Sequence, residues 1–288
     1  MEKTAFLFPG QGAQFVGMGR GLENQALLNE ASEVLGLDLV RLCFDGPEEE
    51  LKKTENAQPA IFVVSYGMFL IKGETPDVVA GHSLGESTAL CASKVLDFAS
   101  CLRLVRIRGE LMAKADRECK GVMAAVISRG KRIEVKAIKE ICGEEGIDLV
   151  NFNSPEQVVI SGEKERVNRA VEKIKIFEPL FKVRFLEVDG ALHSRLMKEA
   201  GEEFKKRLEE FSFRKPKIPI VFNVIADFAD QPETIKHLLA EQLVSPVRWE
   251  ESILKIINEG IKEFIEIGPK KVLTPLVNQT LKYLRDEC

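Results

Sequence analysis

The sequence predicts an α/β protein with a mostly parallel sheet and an inserted small ferredoxin-like α+β subdomain. One observation is that short apolar strands alternate with glycine-containing turns and helices over the first 120 residues, which is typical of a parallel sheet covered on both faces. Another is the change of order between Gly121 and Asp189 to β-α-β-β-α-β, the pattern of a ferredoxin-like module. The strand and helix alternation then returns after Asp189.

The elements of the first 120 residues follow from their apolar patterns and turn residues. In order they are a strand at Thr4–Phe8, a glycine-rich turn over 9–21, helical segments to about Leu51, a helix from near Gln58, a strand at 77–80, a turn at 81–85 and a helix over 86–96. The apolar run over 59–71 is too short to cross a bilayer and predicts a buried helix.

The insertion is predicted as strand 122–127, helix 133–145, strands 148–153 and 158–161, helix 163–176 and strand 181–188. A helix from His193 to Glu210, a strand at 218–223, helices near 233–242 and 250–259 and a strand at 263–267 then complete the larger unit. We therefore divide the chain into a large, hydrolase-like α/β domain, residues 1-120 and 190-288, and an inserted subdomain, residues 121-189. A crevice between two such units is the expected substrate site.

Composition limits the function classes. Of 288 residues, 45% are apolar and 30% are charged, which indicates a soluble globular protein and excludes disordered, collagen-like and disulfide-scaffold classes. The 41 basic residues against 45 acidic ones give a net charge of −4, which argues against nucleic-acid binding as the main role. The six cysteines form no C-x-x-C pair, and no histidine stands at metal-ligand spacing, so no metal is expected. No signal peptide or transmembrane run is present, and we expect a cytoplasmic protein with reduced thiols, no membrane partner and a monomeric state.

The motif Gly81-His82-Ser83-Leu84-Gly85 lies between a predicted strand and a predicted helix. A G-x-S-x-G turn needs small residues at both glycine positions because it is tight, and it exposes the serine hydroxyl. It also leaves the next backbone N–H free for an oxyanion. Since a strand precedes the motif and a helix follows it, we favour Ser83 as a nucleophile over an ordinary turn.

A nucleophilic serine needs a base, and the chain has three histidines. His82 is expected to point away from the hydroxyl of Ser83, and His237 is expected on a helix surface. His193, at the predicted start of a helix, is the favoured base. No acidic loop precedes it as in an α/β-hydrolase, so a backbone carbonyl is the expected third member.

Two further segments contain candidate functional residues. The loop Phe8–Gln14 is rich in glycine but lacks the third glycine of a dinucleotide fingerprint. Its N–H groups, including that of Gln11, suit an oxyanion, and an ordinary turn is an equal alternative. Arg108 lies on a predicted helix, where it is either solvated or points into the crevice to bind a substrate carboxylate.

Seven collinear motifs carry a resemblance that runs from residue 4 to about residue 277. They are Leu7–Gln14, Gly81–Glu86, Arg108–Met112, Ala191–Ser194, Asn223-Val224, Gln242-Leu243 with Pro246–Trp249, and Glu266–Pro269. Together they closely resemble the malonyl-CoA:acyl carrier protein transacylases of fatty acid synthesis, a family that includes the acyltransferase domains of polyketide synthases.

The resemblance implies a ping-pong transfer of malonyl from malonyl-CoA to the phosphopantetheine thiol of holo-acyl carrier protein. It implies Ser83 as nucleophile, His193 as base and acid, the Gln242 carbonyl as its orienting group, the N–H groups of Gln11 and Leu84 as oxyanion hole, and Arg108 as partner of the malonyl carboxylate. It adds His82, Met112, Leu192, Asn153 and Gln157 as pocket residues, with ordinary turn chemistry beside Pro155 as the alternative for Asn153 and Gln157. It implies no cofactor beyond the CoA thioester substrate and the phosphopantetheine arm of the carrier.

Leu192 departs from the resemblance, since the family often has Phe before the active histidine. Alternatives are an acyltransferase of a polyketide pathway that accepts another malonyl-type unit, a serine thioesterase or esterase, and a silent protein that binds CoA or the carrier. The absent acid loop and Arg108 favour the transferase over the hydrolase, and the intact set of Ser83, His193, Gln11 and Arg108 argues against the silent protein.

Overall fold

The computed structural model describes residues 2–22, 25–188 and 190–286. The strands in these residues are β1 (Thr4–Phe8), β2 (Val78–Gly81), β3 (Gly121–Ile127), β4 (Asp148–Ser154), β5 (Gln157–Glu163), β6 (Lys182–Phe185), β7 (Ile220–Phe222), β8 (Asp227–Phe228) and β9 (Glu263–Glu266). The α-helices are α1 (Ala26–Leu35), α2 (Leu39–Phe44), α3 (Glu48–Lys52), α4 (Thr54–Lys72), α5 (Gly85–Ala92), α6 (Phe98–Cys119), α7 (Val135–Glu145), α8 (Lys164–Phe177), α9 (Lys198–Leu208), α10 (Pro232–Gln242), α11 (Trp249–Asn258) and α12 (Thr274–Asp286).

The main sheet has the strand order β8-β7-β2-β1-β9. The strands β7, β2, β1 and β9 are mutually parallel, and only the short edge strand β8 is antiparallel to its neighbour. Alternate residues of β1 enter different cores: Phe6 and Phe8 pack on the side of α4 to α6, whereas Ala5 and Leu7 pack on the side of α11 and α12. Burial on both faces explains why β1 is apolar from Ala5 to Phe8.

The second sheet has the order β4-β5-β3-β6 and is antiparallel throughout. With α7 after β3 and α8 after β5, it forms the predicted βαββαβ unit. The two helices pack on one face around Ile138, Val158 and Ile174. The predicted fold class, a mostly parallel sheet with a separate ferredoxin-like sheet, is therefore confirmed. The domain boundaries stay a prediction, and residues 1, 189, 287 and 288 at those boundaries lie outside the described residues.

Several predicted element bounds change. The helix predicted from near Gln58 begins earlier, at Thr54, and the short strand β8 and the terminal helix α12 were not predicted. His193 does not begin a helix: it lies in a turn with a φ of 61°, and α9 starts at Lys198 after a 3-10 turn. The reason is local, because the Ser194 hydroxyl donates to the Ala191 carbonyl and accepts from the Leu196 N–H, which closes a turn ahead of the helix.

The structure bears on two of the expectations from the sequence, the absence of a membrane-spanning helix and the state of the cysteines. Among the described residues, no helix combines the length and the apolar character that a membrane crossing requires. Cys43, Cys91, Cys101, Cys119 and Cys142 are free thiols. Cys288 lies outside the described residues.

The last strand is joined to the last helix by one buried carboxylate. Glu266, only 3% exposed, accepts hydrogen bonds from the backbone N–H groups of Val272, Leu273 and Thr274 and from the Thr274 hydroxyl, at 2.6 to 2.9 Å. The backbone donors lie at the start of α12 and in the two residues before it, where N–H groups have no partner inside the helix.

We expect Glu266→Ala to lower the free energy of unfolding by about 3 kcal/mol, because it leaves several buried donors unpaired. Glu266→Gln keeps one acceptor oxygen and should lose about half as much. Chemical denaturation measures both, with Glu263→Ala on the exposed side of β9 as the control. Equal stability of Glu266→Ala and Glu263→Ala would contradict this assignment.

Candidate active site

The turn between β2 and α5 brings backbone segments unusually close together. A Cβ at Gly81 would lie 1.9 Å from the carbonyl carbon of Gly85, and a Cβ at Gly85 would lie 2.0 Å from the Phe8 carbonyl oxygen. Both positions therefore require glycine. Between them Ser83 has a φ of 52°, a conformation that is costly for a residue with a side chain and is concentrated at functional sites.

The structure brings Ser83 and His193 together. The Ser83 Oγ lies 2.7 Å from the His193 Nε2, and the Nδ1 of the same ring lies 2.7 Å from the Gln242 carbonyl oxygen. Because a carbonyl only accepts, Nδ1 carries the proton, and Nε2 accepts from the serine hydroxyl. The orienting group is a backbone carbonyl and not a carboxylate.

His193 is buried beside a cation, and both features affect its basicity. Burial, and next the positive charge of Arg108, lower the pKa of His193 to about 3. The imidazole is therefore neutral at neutral pH and is free to take a proton from Ser83.

Arg108 of α6 points inward and is 2% exposed. Its guanidinium donates to the Gln58 Oε1 at 2.8 Å, to the Gln242 Oε1 at 3.0 Å and to the Ser83 Oγ at 3.1 Å. Burial lowers the pKa of Arg108 to about 10, against the opposing effect of Glu86, so the group stays charged at neutral pH. A buried cation whose hydrogen bonds all go to neutral oxygens is suited to bind an anion.

The loop after β1 lies against the serine turn. A Cβ at Gly10 would come within 2.5 Å of the His82 carbonyl oxygen, and the side chain of Gln11 is held by a 3.0 Å bond to the Thr54 hydroxyl. The backbone N–H groups of Gln11 and Leu84 donate to no other described residue outside regular helix and strand bonding. Free N–H groups beside a nucleophile are suited to stabilise an oxyanion.

The predicted pocket residues occupy two places. His82 points away from Ser83: its Nε2 lies 2.8 Å from the Asn153 Oδ1, and Asn153 donates to the Gln157 Oε1 at 2.8 Å. These three side chains line a cleft of about 610 Å³ between the two sheets. Met112 and Leu192 are buried instead, and Met112 accepts a 3.5 Å hydrogen bond from the Gln58 side chain beside Arg108.

Sequence reasoning did not assign roles to Gln58, Glu86 or Asn223. Asn223 follows β7 and accepts from the Ser83 N–H at 2.7 Å, and Gln58 is the amide that holds Arg108. The available signal for Gln58 was an amide directly before the apolar run that begins at Pro59. His237 is 58% exposed and pairs with Glu241, as its helix-surface assignment predicts.

We expect the rate at which a fluorophosphonate reagent labels Ser83 to stay constant from roughly pH 8 down to pH 5, because His193 remains neutral over that range. In Arg108→Ala the pKa of His193 rises, since a neighbouring cation is removed, and the rate should begin to fall at higher pH than in the wild type. Intact-protein mass spectrometry gives the rates, and Arg106→Ala on the same helix is the control. A wild-type rate that falls around pH 6.5 would contradict the buried, neutral imidazole.

Comparison with known proteins agrees with this geometry. Residues 5–287 match the family described as acyl transferase domain. The malonyl CoA-acyl carrier protein transacylase of Bacillus subtilis (strain 168) is 44% identical over 298 aligned residues, covering 99% of this chain and 92% of the relative. An acyl carrier protein S-malonyltransferase from Vibrio cholerae has a TM-score of 0.91 at 40% identity, covering 97% of this chain and 94% of that chain. A malonyl-transacylase in complex with its type II PKS acyl-carrier protein has a TM-score of 0.90 at 40% identity, covering 97% and 93%. This chain therefore belongs to the acyl transferase domain family.

Proposed function

We propose that this acyltransferase moves a malonyl group from malonyl-CoA to the phosphopantetheine thiol of holo-acyl carrier protein, through a malonyl ester of Ser83. The observation that carries the proposal is that one hydroxyl oxygen contacts both a neutral base and a buried cation. The Ser83 Oγ lies 2.7 Å from the His193 Nε2 and 3.1 Å from the Arg108 guanidinium. The names of the relatives support malonyl as the acyl group and the carrier as the acceptor.

In the first half-reaction, the Ser83 Oγ attacks the thioester carbonyl carbon while His193 takes the hydroxyl proton. The tetrahedral oxyanion accepts hydrogen bonds from the N–H groups of Gln11 and Leu84. When the C–S bond breaks, His193 returns the proton to the CoA sulfur. The second half-reaction runs the same steps in reverse, with the carrier thiol as nucleophile and Ser83 as leaving group.

Arg108 selects the acyl group through the free carboxylate of malonate. A malonyl ester carries that carboxylate one methylene away from its ester carbonyl, which suits a guanidinium in contact with the ester oxygen. A carboxylate accepts two parallel hydrogen bonds from the planar guanidinium. An acetyl group would leave the buried cation without an anionic partner.

The position of the carrier in metabolism is a separate part of the proposal. We assign the enzyme to fatty acid synthesis. A polyketide pathway is the alternative, because one of the similar structures is a complex with a type II PKS acyl-carrier protein. A cytoplasmic location and a monomeric state stay predictions from the sequence.

We expect intact-protein mass spectrometry to detect a mass gain of one malonyl group on the wild type after brief mixing with malonyl-CoA. The gain should be absent in Ser83→Ala, and it should pass to added holo-carrier from either a fatty acid or a polyketide system. The relative rates with the two carriers assign the pathway. Loss of the adduct to water at the same rate with and without carrier would instead identify a hydrolase.

We expect Arg108→Ala to lower kcat/KM for malonyl-CoA by roughly 100-fold or more, because a charged partner of the substrate is lost. The value for acetyl-CoA should change far less, so the preference for malonyl falls. Arg106→Ala, which removes a guanidinium from the outer part of the same helix, is the matched control. An unchanged ratio of the two kcat/KM values would remove Arg108 from substrate selection.

A further inference from the structure

Glu86 is a buried carboxyl group that takes no part in the proton transfers described above. It lies in the first turn of α5, directly below the serine turn, and is 1% exposed. Its Oε2 accepts a 2.7 Å hydrogen bond from the backbone N–H of Asn223. An ionisable group so deeply buried beside a nucleophile needs a physical explanation.

The side chain of Asn223 extends the contact from Glu86 to the turn itself. Its Oδ1 accepts from the Ser83 N–H at 2.7 Å, and its Nδ2 donates to the Gly81 carbonyl at 2.7 Å. Because β2 and β7 are parallel neighbours, the end of one strand lies next to the end of the other. One amide therefore holds the turn on both sides of His82.

The turn needs external support because of its backbone. Ser83 has a φ of 52°, and residues in such conformations persist only where the surroundings fix them. The contacts of Asn223 with Gly81 and Ser83 provide that support, and Glu86 fixes the backbone of Asn223. We refer to Glu86, Asn223 and the Ser83 N–H as the Glu86–Asn223 chain.

The Glu86–Asn223 chain does not require a charge on Glu86. Burial raises the pKa of Glu86 to about 8, while the Asn223 N–H, the charge of Arg108 on α6 and the Gln242 side chain on α10 act in the opposite direction. A carboxyl group retains an acceptor oxygen whether or not it is protonated. The hydrogen bond to the Asn223 N–H is therefore available in both states.

We propose that Glu86 is a positioning residue that acts through Asn223 to hold the Ser83 backbone in its reactive conformation. The hydrogen bond that Glu86 accepts, and not its charge, provides this effect. Loss of either member lets Ser83 relax, which moves its Oγ away from His193 and turns the Leu84 N–H away from the oxyanion. The inference rests on the proposed function, because it assumes that Ser83 is acylated.

The test is the single-turnover rate of malonyl transfer to Ser83, followed by rapid quenching and intact-protein mass spectrometry. We expect Glu86→Ala and Asn223→Ala each to lower the limiting rate roughly 10- to 100-fold, because misplacing a reacting atom is costly. The malonyl-CoA concentration at half-maximal rate should stay within about twofold of the wild-type value, because Arg108 is retained. Glu86→Gln, which keeps the acceptor oxygen, should stay within about threefold of the wild-type rate.

Two further variants separate positioning from general damage. Thr88→Ala removes a buried polar group from the same helix whose hydroxyl has no hydrogen-bond partner among the described residues, and it should react at the wild-type rate. The double variant Glu86→Ala/Asn223→Ala should be no slower than the slower single variant, because both changes break one chain. Thermal unfolding of each variant shows that folded protein is being compared.

The experiment distinguishes failure of the positioning role from failure of the proposed function. If the wild type forms no malonyl adduct, the proposed function fails, and the Glu86–Asn223 chain has no reaction to support. If the wild type is acylated but Glu86→Ala matches it, the positioning role is overturned. A Glu86→Gln rate as low as that of Glu86→Ala also overturns it, because charge would then be the cause. Multiplied losses in the double variant contradict a single chain, and Asn223→Ala alone tests the proposal if Glu86→Ala does not fold.

Discussion

The close backbone approach at the serine turn is the constraint on which the rest of the structure depends. Gly85 lies so near the Phe8 carbonyl, and Gly81 so near Gly85, that no side chain fits at either glycine. This approach joins the ends of the two central strands and places α5 directly behind Ser83. The turn can then present one hydroxyl and one free N–H at the carboxyl edge of the sheet, where ligand sites of parallel sheets are found.

A neutral backbone carbonyl orients His193, and this affects the distribution of charge in the site. A carboxylate at the position of the Gln242 carbonyl would place a negative charge beside the ring and raise the pKa of the imidazole. The carbonyl fixes the tautomer without adding a full negative charge. The cation is then held by the neutral oxygens of Gln58, Gln242 and Ser83, which a substrate carboxylate can replace. Gln242 therefore contributes to both parts of the site, because its backbone carbonyl orients the base and its side-chain oxygen holds the cation.

Local sequence features predicted the elements and the turn. The apolar run Ala5–Phe8 of the first strand, the βαββαβ order and the two glycines around Ser83 each reflect constraints within a short segment. Contacts between distant segments were not accessible in this way. The pairing of Asn223 with Ser83 spans 140 positions, and that of Gln58 with Arg108 spans 50. The helix predicted to start at His193 was wrong because the Ser194 hydroxyl closes a separate turn first.

The inserted subdomain also contributes to the position of the base. The Ser161 hydroxyl of β5 donates to the Leu192 carbonyl at 3.2 Å, immediately before His193. Gly121, at the start of β3, lies so close to Ala191 that a Cβ would come within 2.4 Å of the alanine Cβ.

On the other side of the insertion, Val247 forms a parallel bridge with Asn151 of β4, a few residues after Gln242. Both the loop that carries His193 and the segment that follows its orienting carbonyl are therefore attached to the second sheet. Because the nucleophile belongs to the main sheet, the 2.7 Å contact between Ser83 and His193 depends on how the two sheets are packed. The insertion is thus part of the structure that aligns base and nucleophile, as well as one wall of the cleft.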